Sequence, residues 1–156
     1  MTILREHCLL QVIWCDDIRQ EVGNKPSFMG VYSELALPSV PIVLPRLAAY
    51  VTLYTPITTP LADLALRIMK SDEEKPLAYI EMSAQEQIEP PARSADDPST
   101  VRLLSFGILI GNVAFDEGTK WLRADADYGN EHLESLKLRI SSPERPLEQR
   151  AEKAAT

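Results

Sequence analysis

The last third of the chain alternates apolar and polar residues in three runs, Val101 to Phe115, Trp121 to Tyr128 and Leu133 to Ile140, divided only by Asp116-Glu117-Gly118 and Gly129-Asn130. Connections this short leave no room for helical crossovers, so the runs should pair as an antiparallel meander. Side chains switch faces at every residue of a strand, and pairing joins like faces. Leu122, Ala124, Ala126 and Tyr128 therefore share one face of the middle run, with Arg123, Asp125 and Asp127 on the other. In the next run Leu136, Leu138 and Ile140 oppose Lys137 and Arg139. A strict two-residue turn at Gly129-Asn130 would set Leu122 against Lys137. An odd loop, Gly129-Asn130-Glu131, sets Leu122 against Leu138 and Ala124 against Leu136, and a three-residue loop with a glycine-assisted bulge is a common solution. The odd loop is the expectation.

The upstream pattern also reads as strands. One runs from about Cys8 to Asp16 and continues towards Val22; Gly23-Asn24 turns, and Ser27 to Ser33 returns, with a two-residue turn placing Ile18 opposite Met29 and Asp16 opposite Val31. Leu37 to Pro45 holds three prolines, which bar a helix and most ladder bonding, so it is expected as an extended edge or inter-sheet crossing whose Ile42 and Leu44 plug the core. Leu47 to Thr55 presents Leu47, Ala49, Val51 and Leu53 on one face. Leu61 to Lys70 turns Leu64, Leu66 and Ile68 inward; Leu61, Leu64, Ala65 and Ile68 also fit a helical stripe, so strand is preferred over a helical rival. Leu77 to about Gln85 carries Ala78, Ile80, Met82 and Ala84 inward.

These elements predict an all-β fold, a two-layer antiparallel β-sandwich of about eight strands, with a closed β-barrel as the alternative. Residues 1–142 are expected to form a single sandwich domain and 143–156 a polar tail, disordered or briefly helical. The aperiodic stretch Glu89 to Ser99 is expected as a mobile loop.

Composition narrows the classes of partner. A length of 156 residues with 45% hydrophobic content suits a globular chain with a two-layer core. The net charge of −7 argues against nucleic acid and against anionic membranes, since phosphate neutralisation needs a basic face. Cys8 to Cys15 is a short apolar run containing Gln11 and without a basic lead, unlike a secretion signal, and Phe106 to Phe115 is too short to span a bilayer as a helix. A cytoplasmic location is the expectation. Cys8 and Cys15 would lie about 23 Å apart on one strand at ~3.3 Å per residue, so they cannot bridge there. Two cysteines without Cys-x-x-Cys spacing indicate neither a zinc site nor a redox pair.

The segment Cys15-Asp16-Asp17-Ile18-Arg19, followed by Gly30-Val31-Tyr32 and the Leu-Pro ahead of a strand at Leu44-Pro45, resembles a group of small bacterial proteins that form a domain family of unknown function. The likeness extends more loosely to Ile140. It implies a bacterial source and brings no activity, cofactor or catalytic residue with it.

Chemistry must come from the residues themselves. His7 and His132 stand apart from any nucleophile motif, and no Gly-x-Ser-x-Gly occurs. Gly107-Ile108-Leu109-Ile110-Gly111 matches no phosphate loop and is better suited to a bulge or close sheet packing. Carboxylates recur at Asp16-Asp17, Asp96-Asp97, Asp116-Glu117 and Asp125/Asp127, but nothing shows the six to eight converging oxygens that calcium requires. Neither catalytic nor metal-ligating residues nor a cofactor are assigned. Asp16 and Asp17, which interrupt an apolar hairpin, and His132 form the candidate polar surface. Leu136, Leu138 and Ile140 form a candidate interaction edge, because the last run has no proline guard. The expected role is a non-catalytic binding or assembly module that contacts a protein partner or another copy of itself. An enzyme or calcium-binding domain using clustered carboxylates is the alternative.

Overall fold

The computed structural model describes residues 7–87 and 100–142; the expected mobile loop Glu89–Ser99 and the tail 143–156 lie outside them. Among the described residues eleven strands follow in order: β1 Leu9–Cys15, β2 Asp17–Glu21, β3 Lys25–Met29, β4 Leu35–Ala36, β5 Ile42–Pro56, β6 Leu64–Lys70, β7 Ala78–Met82, β8 Val101–Phe115, β9 Trp121–Tyr128, β10 Glu131–Glu134 and β11 Leu138–Ser141. The only helical piece among the described residues is a 3-10 turn at Ala84–Glu86, closed by reciprocal bonds between Ser83 and Glu86. No helix there is long and apolar enough to cross a membrane.

The fold is all-β. One sheet has the order β1-β5-β8. A second runs β4-β11-β9-β6-β7, with β10 also pairing β9, and β2-β3 is a separate hairpin. All pairings are antiparallel except β11 with β4. The two larger sheets share one core, in which Leu10, Trp14, Leu47, Val51, Leu53, Ile108 and Ile110 join Leu64, Leu66, Ile68, Leu122, Ala124 and Leu138. The period-2 pattern that predicted β6 over a helix is met, since Leu64, Leu66 and Ile68 are all buried. Cys8 and Cys15 are buried and unbridged.

The strand count rises from about eight to eleven for local reasons. The expected first strand breaks at Asp16 into β1, which pairs β5, and β2, which pairs β3. The expected last strand breaks at Ser135-Leu136-Lys137 into β10 and β11, and Leu35–Ala36 adds a short strand ahead of the prolines.

Both hairpin expectations are corrected, in opposite senses. At Gly129-Asn130 the turn has two residues, because Tyr128 pairs Glu131 and Asp127 pairs His132. Gly129 has φ +58, the positive first position of a type II′ turn. The extra residue appears later as a bulge between the pairs Asp125–Glu134 and Leu122–Leu138, so Leu122 meets Leu138 as expected while Leu136 misses Ala124. In the first hairpin Glu21 pairs Lys25, leaving a three-residue loop with Gly23 and Asn24 both at positive φ, and Ile18 faces Phe28 rather than Met29.

The proline segment departs from expectation as well. β5 starts inside it at Ile42, and Pro45 lies between the pairs Leu44–Val113 and Arg46–Gly111. Next to that rung Asn112 has φ +53. The inward residues switch from Ile108 and Ile110 to Val113 and Phe115 on β8, and from Leu47 to Leu44 and Ile42 on β5. Both strands swap faces at one rung, so their register survives and Ile42 and Leu44 still pack on the core.

Candidate functional site

Cys15-Asp16-Asp17 and Gly30-Val31-Tyr32 meet at the corner where β1 gives way to β2. The Asp16 amide donates to the Met29 carbonyl at 2.8 Å, Tyr32 donates its own amide to the Trp14 carbonyl at 2.8 Å, and the Tyr32 hydroxyl donates to the Asp16 carboxylate. Gly30 has φ +64, and a Cβ on it would fall on that carboxylate, so only glycine suits the position. Burial and the neighbouring Asp16 push the Tyr32 phenol up to about 12, which keeps it a hydrogen-bond donor. Asp17 accepts from the Ile18 amide at 3.0 Å and pairs with Arg46 at 3.2 Å. The aspartates that interrupt the apolar hairpin thus pin a corner of the fold.

His132 belongs to a different group of residues. Its Nδ1 lies 2.6 Å from Asp127 Oδ1 across the β9–β10 pair, and Asp127 also accepts from Arg67 at 2.5 Å. On the same sheet Arg123 donates to Asp125 at 2.6 and 2.9 Å and reaches Glu134 at 2.9 Å. Arg123 and Lys137 both lie over the Trp121 ring, at 4.9 and 4.6 Å from its centre. Among the described residues no hydrogen bond or ion pair links Asp16 or Asp17 to His132, so the three do not form one surface site.

The electrostatics of this ladder are internally balanced. Hydrogen bonds from His132 and then Arg67 hold the Asp127 carboxyl below its usual range, and the bond to Asp127 raises His132 above its own. Ligand atoms of Asp125, His132 and Glu134 lie within 4.8 Å of one another, a spacing compatible with a cation. Arg123 bonds two of these three carboxyl and imidazole groups, Asp125 and Glu134, and already supplies the positive charge there. Beside the ladder, a shallow depression of about 400 Å³ is lined by the carboxylates of Asp63, Glu81 and Asp127 with Leu64 and Met82. Asp63 accepts from the Ala84 amide, Glu81 from the Tyr79 hydroxyl, and Asp127 from Arg67. Each carboxylate has a protein donor, and among the described residues none of the three is bonded to a serine or threonine nucleophile. Nor do the thiols supply one: burial, with Glu131 alongside, pushes Cys8 up to about 12, and burial raises Cys15.

Arg67, Arg123, Glu134 and Trp121 were not among the residues singled out from sequence. The signal was the polar alternation of β9, Arg123-Asp125-Asp127, but the odd-loop register hid its partners. That register would set His132 opposite Tyr128; the two-residue turn sets it opposite Asp127.

The candidate edge is corrected too. β11 lies between β9 and β4, with Ile140 paired to Leu35 and the Leu37 amide donating to the Ser141 carbonyl at 2.8 Å. Leu138 is buried, Ile140 half-buried and Leu136 91% exposed on the bulge, so the trio is not one open edge. Other exposed apolar residues line up on the β1-β5-β8 sheet. Leu9, Tyr54 and Leu103 form one row across β1, β5 and β8, with Leu9 45% and Leu103 56% exposed. The β2-β3 hairpin covers the neighbouring part of that face: Ile18 lies over Gly107, and the Phe28 ring is 5.0 Å from that of Tyr50.

No curated protein and no solved structure matches this chain. A family model does, from residue 11 to residue 141, spanning the corner motif, both larger sheets and the charged ladder. With this match over most of its length, the chain belongs to DUF6941, a family of unknown function.

Proposed function

We propose that the protein is a non-catalytic binding or assembly module that works through protein–protein contact. The observation that carries this reading is the apolar row on the outer face of the β1-β5-β8 sheet, where exposed Leu9 and Leu103 flank half-buried Tyr54 beside the packed β2-β3 hairpin. Contiguous apolar surface on a folded chain marks contact sites, because leaving it in water forgoes the free energy of burial. The charged ladder adds polar surface without a free acid–base pair, since its carboxylates and guanidinium groups satisfy one another.

A photo-crosslinking amino acid placed at Leu103 and, as a control, at the 98% exposed Val22 tests the proposal in cells. Discrete protein adducts are expected from position 103 and not from position 22. Equal, diffuse labelling at both positions would remove the basis for a contact face.

A further inference from the structure

We infer that β8 is a self-pairing edge: two copies join β8 to β8, antiparallel about a two-fold axis, fusing their three-stranded sheets into one of six strands. This rests on the contact reading above and specifies the partner as a second copy of this chain.

A sheet edge exposes unpaired N–H and C=O groups, and natural proteins guard such edges with shortness, charge, proline or a covering segment. β7 is short and carries Glu81; β10 has only four residues, among them Glu131, His132 and Glu134. β4 has two residues and is followed closely by Pro38, while the β2-β3 hairpin carries Arg19, Glu21, Lys25 and Pro26. On β1, the Trp14 carbonyl is taken by the Tyr32 amide. On β8 such guards stand only near its ends, Arg102 at the start and the Lys70 ammonium on the Ala114 carbonyl close to the finish, and among the described residues none falls between them. The strand is 15 residues long, and from Leu103 to Ala114 it contains no charged residue and no proline. Among the described residues β5 is its only strand partner.

The charge pattern selects the occupant. A two-fold interface sets identical surfaces against each other, so a charged edge would meet like charge. In a chain of net charge −7, the neutral stretch of β8 lets two copies meet without that repulsion. Leu103 and Leu109, each 56% exposed on the outer face of β8, gain apolar cover from the partner's sheet. The pairing falls before Asn112, whose positive φ interrupts the ladder.

Sedimentation velocity over a dilution series, combined with amide hydrogen exchange of β8, compares the parent with a Leu103→Lys/Leu109→Lys variant. Both leucines are solvent-facing, so the fold is expected to persist by circular dichroism; if the double variant misfolds, the single Leu109→Lys variant serves. The parent is expected at twice the monomer mass with protected β8 amides, and the variant as a monomer that has lost this protection. A parent that stays monomeric, or a variant that dimerises as well as the parent, overturns self-pairing. With a monomeric parent, crosslinks from position 103 to a different protein leave the contact reading standing. No specific crosslink at all defeats both.

Discussion

His132 and Asp127 show how a single register choice creates an interaction. The two lie directly across β9 and β10 at 2.6 Å, each shifting the other's protonation. The raised His132 contributes stability fully below the ordinary histidine value of about 6.5, and this is lost as pH rises through the raised value. The lowered Asp127 contributes above the ordinary aspartate value of about 3.9, and this is lost as pH falls through the depressed value. Their pair therefore stabilises the fold most between those limits. Because His132 is 55% exposed, the effect stays below about 1 kcal/mol. Urea midpoints of His132→Ala should fall below the parent's in mildly acidic buffer and converge with them in alkaline buffer; a gap independent of pH would refute the pair.

The β10–β11 interruption is the element that most alters the expected sheet. Ser135 makes it possible: its amide donates to the Ala124 carbonyl at 2.8 Å, and its hydroxyl accepts from the Ala124 amide at 3.0 Å. The side chain thereby replaces a ladder acceptor that the bulge removes, and Leu136 is pushed into solvent. Ser135→Val should cost about 1–3 kcal/mol, because it leaves the buried Ala124 amide without an acceptor. Leu136→Glu should change stability by less than about 0.5 kcal/mol despite removing a large apolar residue. Chemical denaturation of the two variants checks both, and comparable losses would show that the bulge does not depend on the serine.

At the scale of the whole molecule, Lys70 ties the two larger sheets together. It ends β6 with its side chain only 3% exposed, and its Nζ donates to the Ala114 carbonyl of β8 at 2.8 Å while pairing with Glu73 at 2.7 Å. A buried ammonium group is stable only with such partners, so the lysine fixes where the end of β6 meets the end of β8. Lys70→Met keeps the apolar stem and removes the tie, leaving the Ala114 carbonyl unpaired. A loss of about 1–3 kcal/mol in guanidinium unfolding is expected. An unchanged midpoint would mean that the shared apolar core alone sets how the sheets meet.

Period-2 alternation alone determined the all-β class, the bounds of β8 and β9 and the inward faces of β5, β6 and β9, because each depends on which side of a strand a residue points. The motifs Cys15-Asp16-Asp17 and Gly30-Val31-Tyr32 were also legible, but their purpose was not. Only the fold shows that Tyr32 reaches Asp16 across the corner above Gly30. Register was beyond the sequence for a specific physical reason. One extra residue can sit in a turn or in a mid-strand bulge with the same effect on strand parity, and only packing decides between them. That decision set His132 against Asp127, exposed Leu136, and placed β4 beside β11. Tertiary pairing likewise, and not the alternation of its residues, put β8 at the end of the order β1-β5-β8.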